Sequence, residues 1–320
     1  MRVLWSIHLY PPKHNCGSEW MAHNINRYLY SRGHEIRVIL HQAKNNNIRV
    51  PYTFEGIEVY GPSGSIDQYR WADVIMTHLE YTALTVPTAK MVKRPVFHFV
   101  HNDTPYQSII NAKKVNVVYN SEWIAEQLAY NHPSMVFHPF VDMNYINVNE
   151  KPEENEYITL INLNENKGGG ILYEIAERLP NKKFLAVRGS YDEQIIRNMP
   201  NVTHVPNTKD IREYYKRTRL LIMPSRYESW GLTASEAMCN GIPVISTCTP
   251  GLMENLGSAG CYVCDRDDIG KWVEWINRLD NPEFYGEVSK VVRQRASCMF
   301  TGTEQYQKLE NFLHESVKNY

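Results

Sequence analysis

Short apolar runs alternate with stretches of helical spacing from the first residues onward. Residues 3–9 read as a buried strand and residues 10–18 as a loop marked by Pro and Gly. Trp20, Met21, Ile25, Tyr28 and Leu29 then recur at the spacing of an amphipathic helix that Gly33 ends. Residues 35–40 form the next strand. Further strands are expected at 74–77, 95–100 and 115–119, with a helix over 122–130. The polar, Asn-rich stretch 139–152 has no pattern and reads as a linker. Beyond it the alternation is cleaner: strands at 157–163, 184–187, 202–205, 220–223, 243–247 and 261–264, with helices at 171–179, 192–199, 211–218, 232–240 and 269–279 between and after them. Tyr306, Leu309, Phe312 and Leu313 mark one side of a terminal amphipathic helix over 304–317. Strands and helices in this order predict an α/β protein whose parallel sheets are covered on both faces and bind ligands beyond the carboxyl ends of their strands.

At 320 residues the chain suits two domains of about 150 residues each. The expected division is 1–150, 151–300, and a C-terminal helix in 301–320 that crosses back to the first domain. A net charge of −1 gives no global basic field for nucleic acid or a membrane surface. The scattered basic positions Lys44, Arg49, Lys90, Lys93, Arg94, Lys113 and Lys114 read as solvated side chains, although an anionic acceptor and peripheral membrane contact stay open. No apolar run spans a bilayer and the opening run is too short for a secretory leader, so a cytoplasmic setting is expected. The six cysteines read as thiols rather than a disulfide framework, Cys261-x-x-Cys264 included.

The chemistry is concentrated after the strand that ends at Met223. A polar loop carries Glu228, Gly231 precedes a helix, and Gly241 ends it before the next strand. Free amides and the helix dipole at Gly231 and Leu232 favour an anion such as a diphosphate. Glu236, inside the helix, and Glu228 can bracket such a ligand from two ends. Two glutamates alone would be read as solvated carboxylates; their setting decides otherwise.

Pro224-Ser225, Glu228, Gly231, Glu236-Ala237-Met238, Gly241 and Pro243-Val244-Ile245 stand in one register. This segment resembles the Glu-x7-Glu motif of retaining GT-B glycosyltransferases, in particular glycosyltransferase family 4. Gly17-Ser18-Glu19, Arg32-Gly33-His34-Glu35, Tyr119-Asn120-Ser121-Glu122-Trp123, Val141-Asp142 and Lys167-Gly168 are similar to further family positions, so the likeness covers most of the chain. It implies two Rossmann-like, doubly wound domains facing a cleft, and a metal-independent transfer of a sugar from a nucleoside-diphosphate sugar to a hydroxyl acceptor with retained configuration. It further implies that Glu236 binds the donor's ribose and Glu228 the transferred sugar. Lys167 and the Gly231 and Leu232 amides would hold the diphosphate, with Gly17 in the N-terminal substrate loop. The family's diphosphate Arg is replaced by Asn162; either Asn162 serves there or Arg188, after the next strand, supplies the charge. His101, at a strand's end, takes the family's catalytic His position, with His98 the other candidate. Strand alternation turns those two apart, which argues against a metal between them.

Two other classes compete. A binding protein that kept the fold and lost activity would account for the missing Arg, but not for Glu228, Glu236, Lys167 and His101 together. A nicotinamide oxidoreductase would need a glycine-rich first loop, and residues 10–18 hold one Gly. The acceptor is left open among glycans, lipid-linked sugars and modified nucleic-acid bases.

Overall fold

A computed structural model describes every residue except Asn15 and Lys113, so the last of these, one of the basic positions named above, lies outside the described residues. The chain divides into two units, Met1–Pro139 with Thr303–Tyr320, and Phe140–Gly302. Among the described residues no helix is long and apolar enough to cross a membrane.

The first unit contains β1 (Arg2–Ile7), α1 (Gly17–Ser31), β2 (Glu35–Leu40), β3 (Tyr52–Phe54), β4 (Ile57–Tyr60), α2 (Ser65–Trp71), β5 (Val74–His78), α3 (Thr82–Met91), β6 (Val96–Val100), α4 (Gln107–Ile110), β7 (Asn116–Tyr119), α5 (Glu122–Leu128) and β8 (Ser134–Val136). Its sheet runs β3-β4-β2-β1-β5-β6-β7-β8, parallel except for the hairpin strand β3. Apart from Arg2, the central strands β1, β5 and β6 are buried on both faces, as their largely apolar sequences require, with Ser6, Thr77, His78 and His98 the polar exceptions. The β3–β4 hairpin and β8 are additions to the elements expected from the sequence, and α5 stops early because Ala129 takes a left-handed conformation.

The second unit opens with α6 (Met143–Ile146) and continues β9 (Tyr157–Ile161), α7 (Gly169–Arg178), β10 (Lys183–Val187), β11 (Val202–Val205), α8 (Arg212–Tyr215), β12 (Thr218–Met223), α9 (Leu232–Cys239), β13 (Val244–Thr247), α10 (Pro250–Leu256), β14 (Cys261–Val263), α11 (Ile269–Arg278) and α12 (Pro282–Phe300). Its six strands are all parallel in the order β11-β10-β9-β12-β13-β14. This is the doubly wound order whose direction reverses between the first and fourth strands, here β9 and β12, and ligands bind such sheets at that reversal.

Three sequence expectations are corrected. Residues 140–150 are not a free linker: Asp142 caps α6, Val141 and Ile146 enter the core, and Asn240 Oδ1 accepts the Val148 and Asn149 amides at 2.8 and 3.1 Å. The unit boundary therefore lies at 139/140 rather than 150/151. Residues 192–199 form no helix; Asp192 has φ 59° and the Gln194 carboxamide is drawn into backbone bonds with Leu163 and Gly189. Cys248 and Cys264 form a disulfide, while Cys261 stays free. The register of β13 on β14 places Thr247 beside Val263, so the next residue of each strand is Cys facing Cys.

The chain ends in α13 (Glu304–Lys318), which belongs to the first unit. Tyr306 stacks on Tyr28, Phe312 meets Phe97 edge-on, and Glu310 accepts hydrogen bonds from Tyr28 and His34 at 3.1 and 2.9 Å. A helix of this length is marginal alone and is ordered by such packing. Leu309 is 1% exposed, so Leu309→Ala should lower the unfolding free energy by about 2–5 kcal/mol, whereas exposed Lys308→Ala should change it by less than about 0.5 kcal/mol. Denaturant titration of the two variants checks this.

Candidate functional site

At the reversal point of the second sheet, the loops after β9 and β12 close on each other. Gly168, at φ 90°, passes so near Pro224 that any Cβ there would overlap the proline ring. The Arg226 amide bonds to the Asn166 carbonyl at 2.8 Å. Lys167 Nζ then reaches Glu228 Oε1 at 2.6 Å, and Ser225 Oγ donates to the same oxygen at 2.9 Å. Burial works against the Lys167 ammonium, but Glu228 and Tyr191 outweigh it and its pKa lies above the usual lysine value.

Gly231 takes φ 85° immediately ahead of α9, packed where a Cβ would strike Leu252, and no side chain caps the helix. Gly168 likewise precedes α7 without a side-chain cap. Two helices thus begin on the touching loops with first-turn amides that no capping side chain satisfies, a setting that favours anions. Buried Asn255 holds the Trp230 and Gly231 carbonyls at 3.1 and 3.0 Å and so sets the loop's path.

Glu236 lies one turn into α9, half-buried, and accepts a hydrogen bond from Tyr215 Oη at 2.7 Å. Burial raises its carboxyl to about 7 despite that bond. The structure therefore brings Lys167 and Glu228 into contact, with Gly231 and Leu232 on the same loop and helix start, and Glu236 on that helix with a different partner. Asn162 is 7% exposed, and its Oδ1 is engaged by Gln194 Nε2 and the Asn164 amide at 3.0 and 3.2 Å beneath Gly189. Arg188 is exposed just past β10, and among the described residues it has no carboxylate partner in an ion pair.

Three contributors escaped the sequence reading. Arg266, after β14, donates to the Pro224 and Glu165 carbonyls at 2.6 and 2.7 Å and ties the two loops together. Tyr215 and Asn255 act from α8 and α10. The expectation that chemistry follows strand ends covers Arg266; nothing in the local sequence of the other two marks them.

In the first unit His101 follows β6 and its Nε2 lies 3.0 Å from His78 Nδ1. Burial lowers His101 to about 4. His98 pairs instead with Thr82 at 2.8 Å, and burial lowers it to about 3. The two histidines take separate partners. Gly17 begins α1, two residues before Glu19, a carboxylate with no exposed surface.

The six-stranded unit, its reversal point and the two-unit architecture resemble known proteins. HepE of Anabaena, solved in complex with UDP-glucose, superposes with a TM-score of 0.81 at 16% identity over 98% of this chain and 100% of that one. Sucrose-phosphate synthase from Thermosynechococcus elongatus gives 0.78 at 14% identity over 100% of both. The fold is GT-B. Within this GT-B protein, residues 144–296 match the model of Glycosyl transferases group 1, nearly the whole second unit. D-inositol 3-phosphate glycosyltransferase of Mycobacterium sp. (strain KMS) is 26% identical over 68% of this chain and 56% of its own. Mannosylfructose-phosphate synthase of Agrobacterium fabrum is 30% identical over 32% of this chain and 23% of its own. An uncharacterized glycosyltransferase of Haemophilus influenzae is 26% identical over 36% and 35%. The matches span between 23% and 56% of the length of these curated relatives.

The raised Glu236 carboxyl has a measurable consequence. Its stabilising contribution is complete below the ordinary value of 4.5 and is lost as pH rises through about 7. Relative to wild type, Glu236→Gln should therefore gain about 2–3 kcal/mol of unfolding free energy between those pH values. Urea denaturation across that range reads the difference, which stays flat if the carboxyl titrates normally.

Proposed function

We propose that the protein is a retaining glycosyltransferase that takes a sugar from a nucleoside-diphosphate sugar and passes it to a hydroxyl acceptor. The observation that carries this reading is the Lys167–Glu228 pair beside the uncapped start of α9, at the reversal point of the second sheet. Both groups are held where a diphosphate and its sugar would lie, and each occupies the other until a ligand arrives. On donor binding the Lys167 ammonium turns from Glu228 to the diphosphate, and Glu228 is released toward the sugar. Glu236 accepts from the ribose hydroxyls, and the Gly231 and Leu232 amides bind phosphate oxygens. Cleavage then develops positive charge on the sugar and negative charge on the leaving diphosphate, which Lys167 and α9 stabilise without a metal at that point. Arg188 is the second cation. Asn162 is assigned a structural task, because its carboxamide oxygen already serves the loop. His101 keeps the catalytic role on the acceptor side that the family likeness implies.

The family match over the second unit and the UDP-glucose bound by HepE support a nucleotide-sugar donor. The test is release of free sugar from a panel of nucleoside-diphosphate sugars, with the anomeric configuration of early product followed by NMR. One donor should be turned over with retention. Donor binding without turnover, with or without candidate acceptors, would favour the inactive binding protein.

Lys167→Ala should weaken binding of the matching nucleoside diphosphate by about 10-fold or more, the value of one charge-assisted hydrogen bond of about 1.5–3 kcal/mol, and leave the bare nucleoside almost unchanged. Calorimetry on both ligands checks it; equal losses would make the lysine structural. Arg188→Ala should follow the same pattern, and Asn162→Ala should instead lower Tm.

A further inference from the structure

The first sheet also reverses direction, between β1 and β5, and an imidazole-rich cluster lies at that point. His8 stands just past β1, His14 on the loop that follows, and Glu19 in the first turn of α1. Glu19 has no exposed surface, and a buried carboxylate is costly unless cations or several donors satisfy it. Its Oε2 accepts from Ser18 Oγ at 2.8 Å. Its Oε1 faces two imidazole nitrogens, His8 Nε2 at 2.6 Å and His14 Nδ1 at 3.0 Å.

We infer that His8, His14 and Glu19 form a binding site for one divalent transition-metal ion of the zinc class. The three donor atoms lie within 4.8 Å of one another, brought together by the turn of the chain between β1 and α1. Tetrahedral zinc with bonds of about 2.0–2.1 Å needs ligand atoms roughly 3.3 Å apart. Parting Oε1 from His14 Nδ1 by about 0.3 Å and from His8 Nε2 by about 0.7 Å, once the bridging protons are gone, therefore makes room for the ion. His8 can present a lone pair at Nε2 by moving its proton to Nδ1. Among the described residues that buried nitrogen has no partner, so it can take the proton, and the bond given up is the one from Nε2 to Glu19 that the ion replaces. His14 has Cys16 Sγ at 3.9 Å from its other nitrogen, a soft outer contact.

Two imidazoles and one carboxylate suit zinc, cobalt or nickel rather than the oxygen-seeking magnesium or calcium. Three protein ligands leave a coordination position open for water or a hydroxyl. A second cluster, His34, Glu310 and His314, is less suited. Glu310 Oε2 is already shared by Tyr28 and Arg32, and His314 is exposed. The inference does not depend on the donor chemistry of the second unit.

The full chain, stripped with chelator and dialysed, is titrated with ZnCl2 by calorimetry and with CoCl2 by visible absorption. One equivalent should bind, with the cobalt bands of four- or five-coordination. Half-buried His14→Ala should weaken binding about 100-fold or more, since even outer contacts cost 10–100-fold, and His314→Ala should leave it unchanged. Glu19→Gln should act like His14→Ala; if it fails to fold, His8→Asn takes its place. No stoichiometric uptake by the wild-type chain overturns the inference, as does uptake that survives His14→Ala or is lost in His314→Ala.

Discussion

Where neighbouring parallel strands send their connections to opposite faces of a sheet, two loops leave side by side and must supply their own packing. Between β9 and β12 that packing is the close pass of Gly168 over Pro224, reinforced by the Arg226 amide on Asn166 and by Arg266 across both loops. A side chain at position 168 would push the loops apart and carry Lys167 away from Glu228. The remaining site geometry depends on this approach. It orients the Gly231 turn, which orients α9, which places Glu236 one turn deeper.

Much of this was legible from residue pattern. The six apolar runs of the second half became β9 to β14, because strands buried on both faces cannot hide their composition. The Glu228–Gly231–Glu236 spacing identified a loop followed by a helix start. What stayed hidden depends on tertiary partners. Residues 192–199 have helical spacing, yet Gln194 gives its carboxamide to the backbone of two other loops, and the segment stays irregular. Cys248 and Cys264 pair only through the register of β13 on β14, which no local spacing expresses. The proposed metal ligands are divided among a strand end, a loop and a helix. Tyr215 and Asn255 are ordinary core residues until their partners are known.

The two reversal points meet one electrostatic problem in different ways. In the second unit a buried carboxylate faces a lysine, a pair that an incoming ligand could part at little cost only if it gives the lysine an anion and Glu228 new donors. In the first unit, Glu19 is surrounded by imidazoles that change protonation, tautomer or ligation more readily than a lysine does. His78 and His101 extend this set, and burial lowers both below the ordinary histidine value. Their neutral rings avoid crowding more positive charge around one carboxylate, whereas His14, beside Cys16 and Glu19, is raised to about 10.

Glu236 is of a third kind. Among the described residues its carboxylate meets no cation, only the Tyr215 hydroxyl, and burial raises it to about 7. A carboxylate in that state holds a proton over much of the neutral range, and ionising it inside the helix is unfavourable. Two ribose hydroxyls would supply the donors that the ionised form lacks, so nucleotide binding should pull the carboxyl back down and release a proton. The energy that folding loses by placing an under-satisfied carboxyl there becomes available to binding, because the ligand relieves what the protein leaves unsolved. The same logic covers Lys167 and Glu228, each satisfied by the other only until a better partner arrives. Under the proposed function the second unit's site is kept slightly short of its own best state, and affinity for a charged, hydroxyl-rich donor would follow from that deficit.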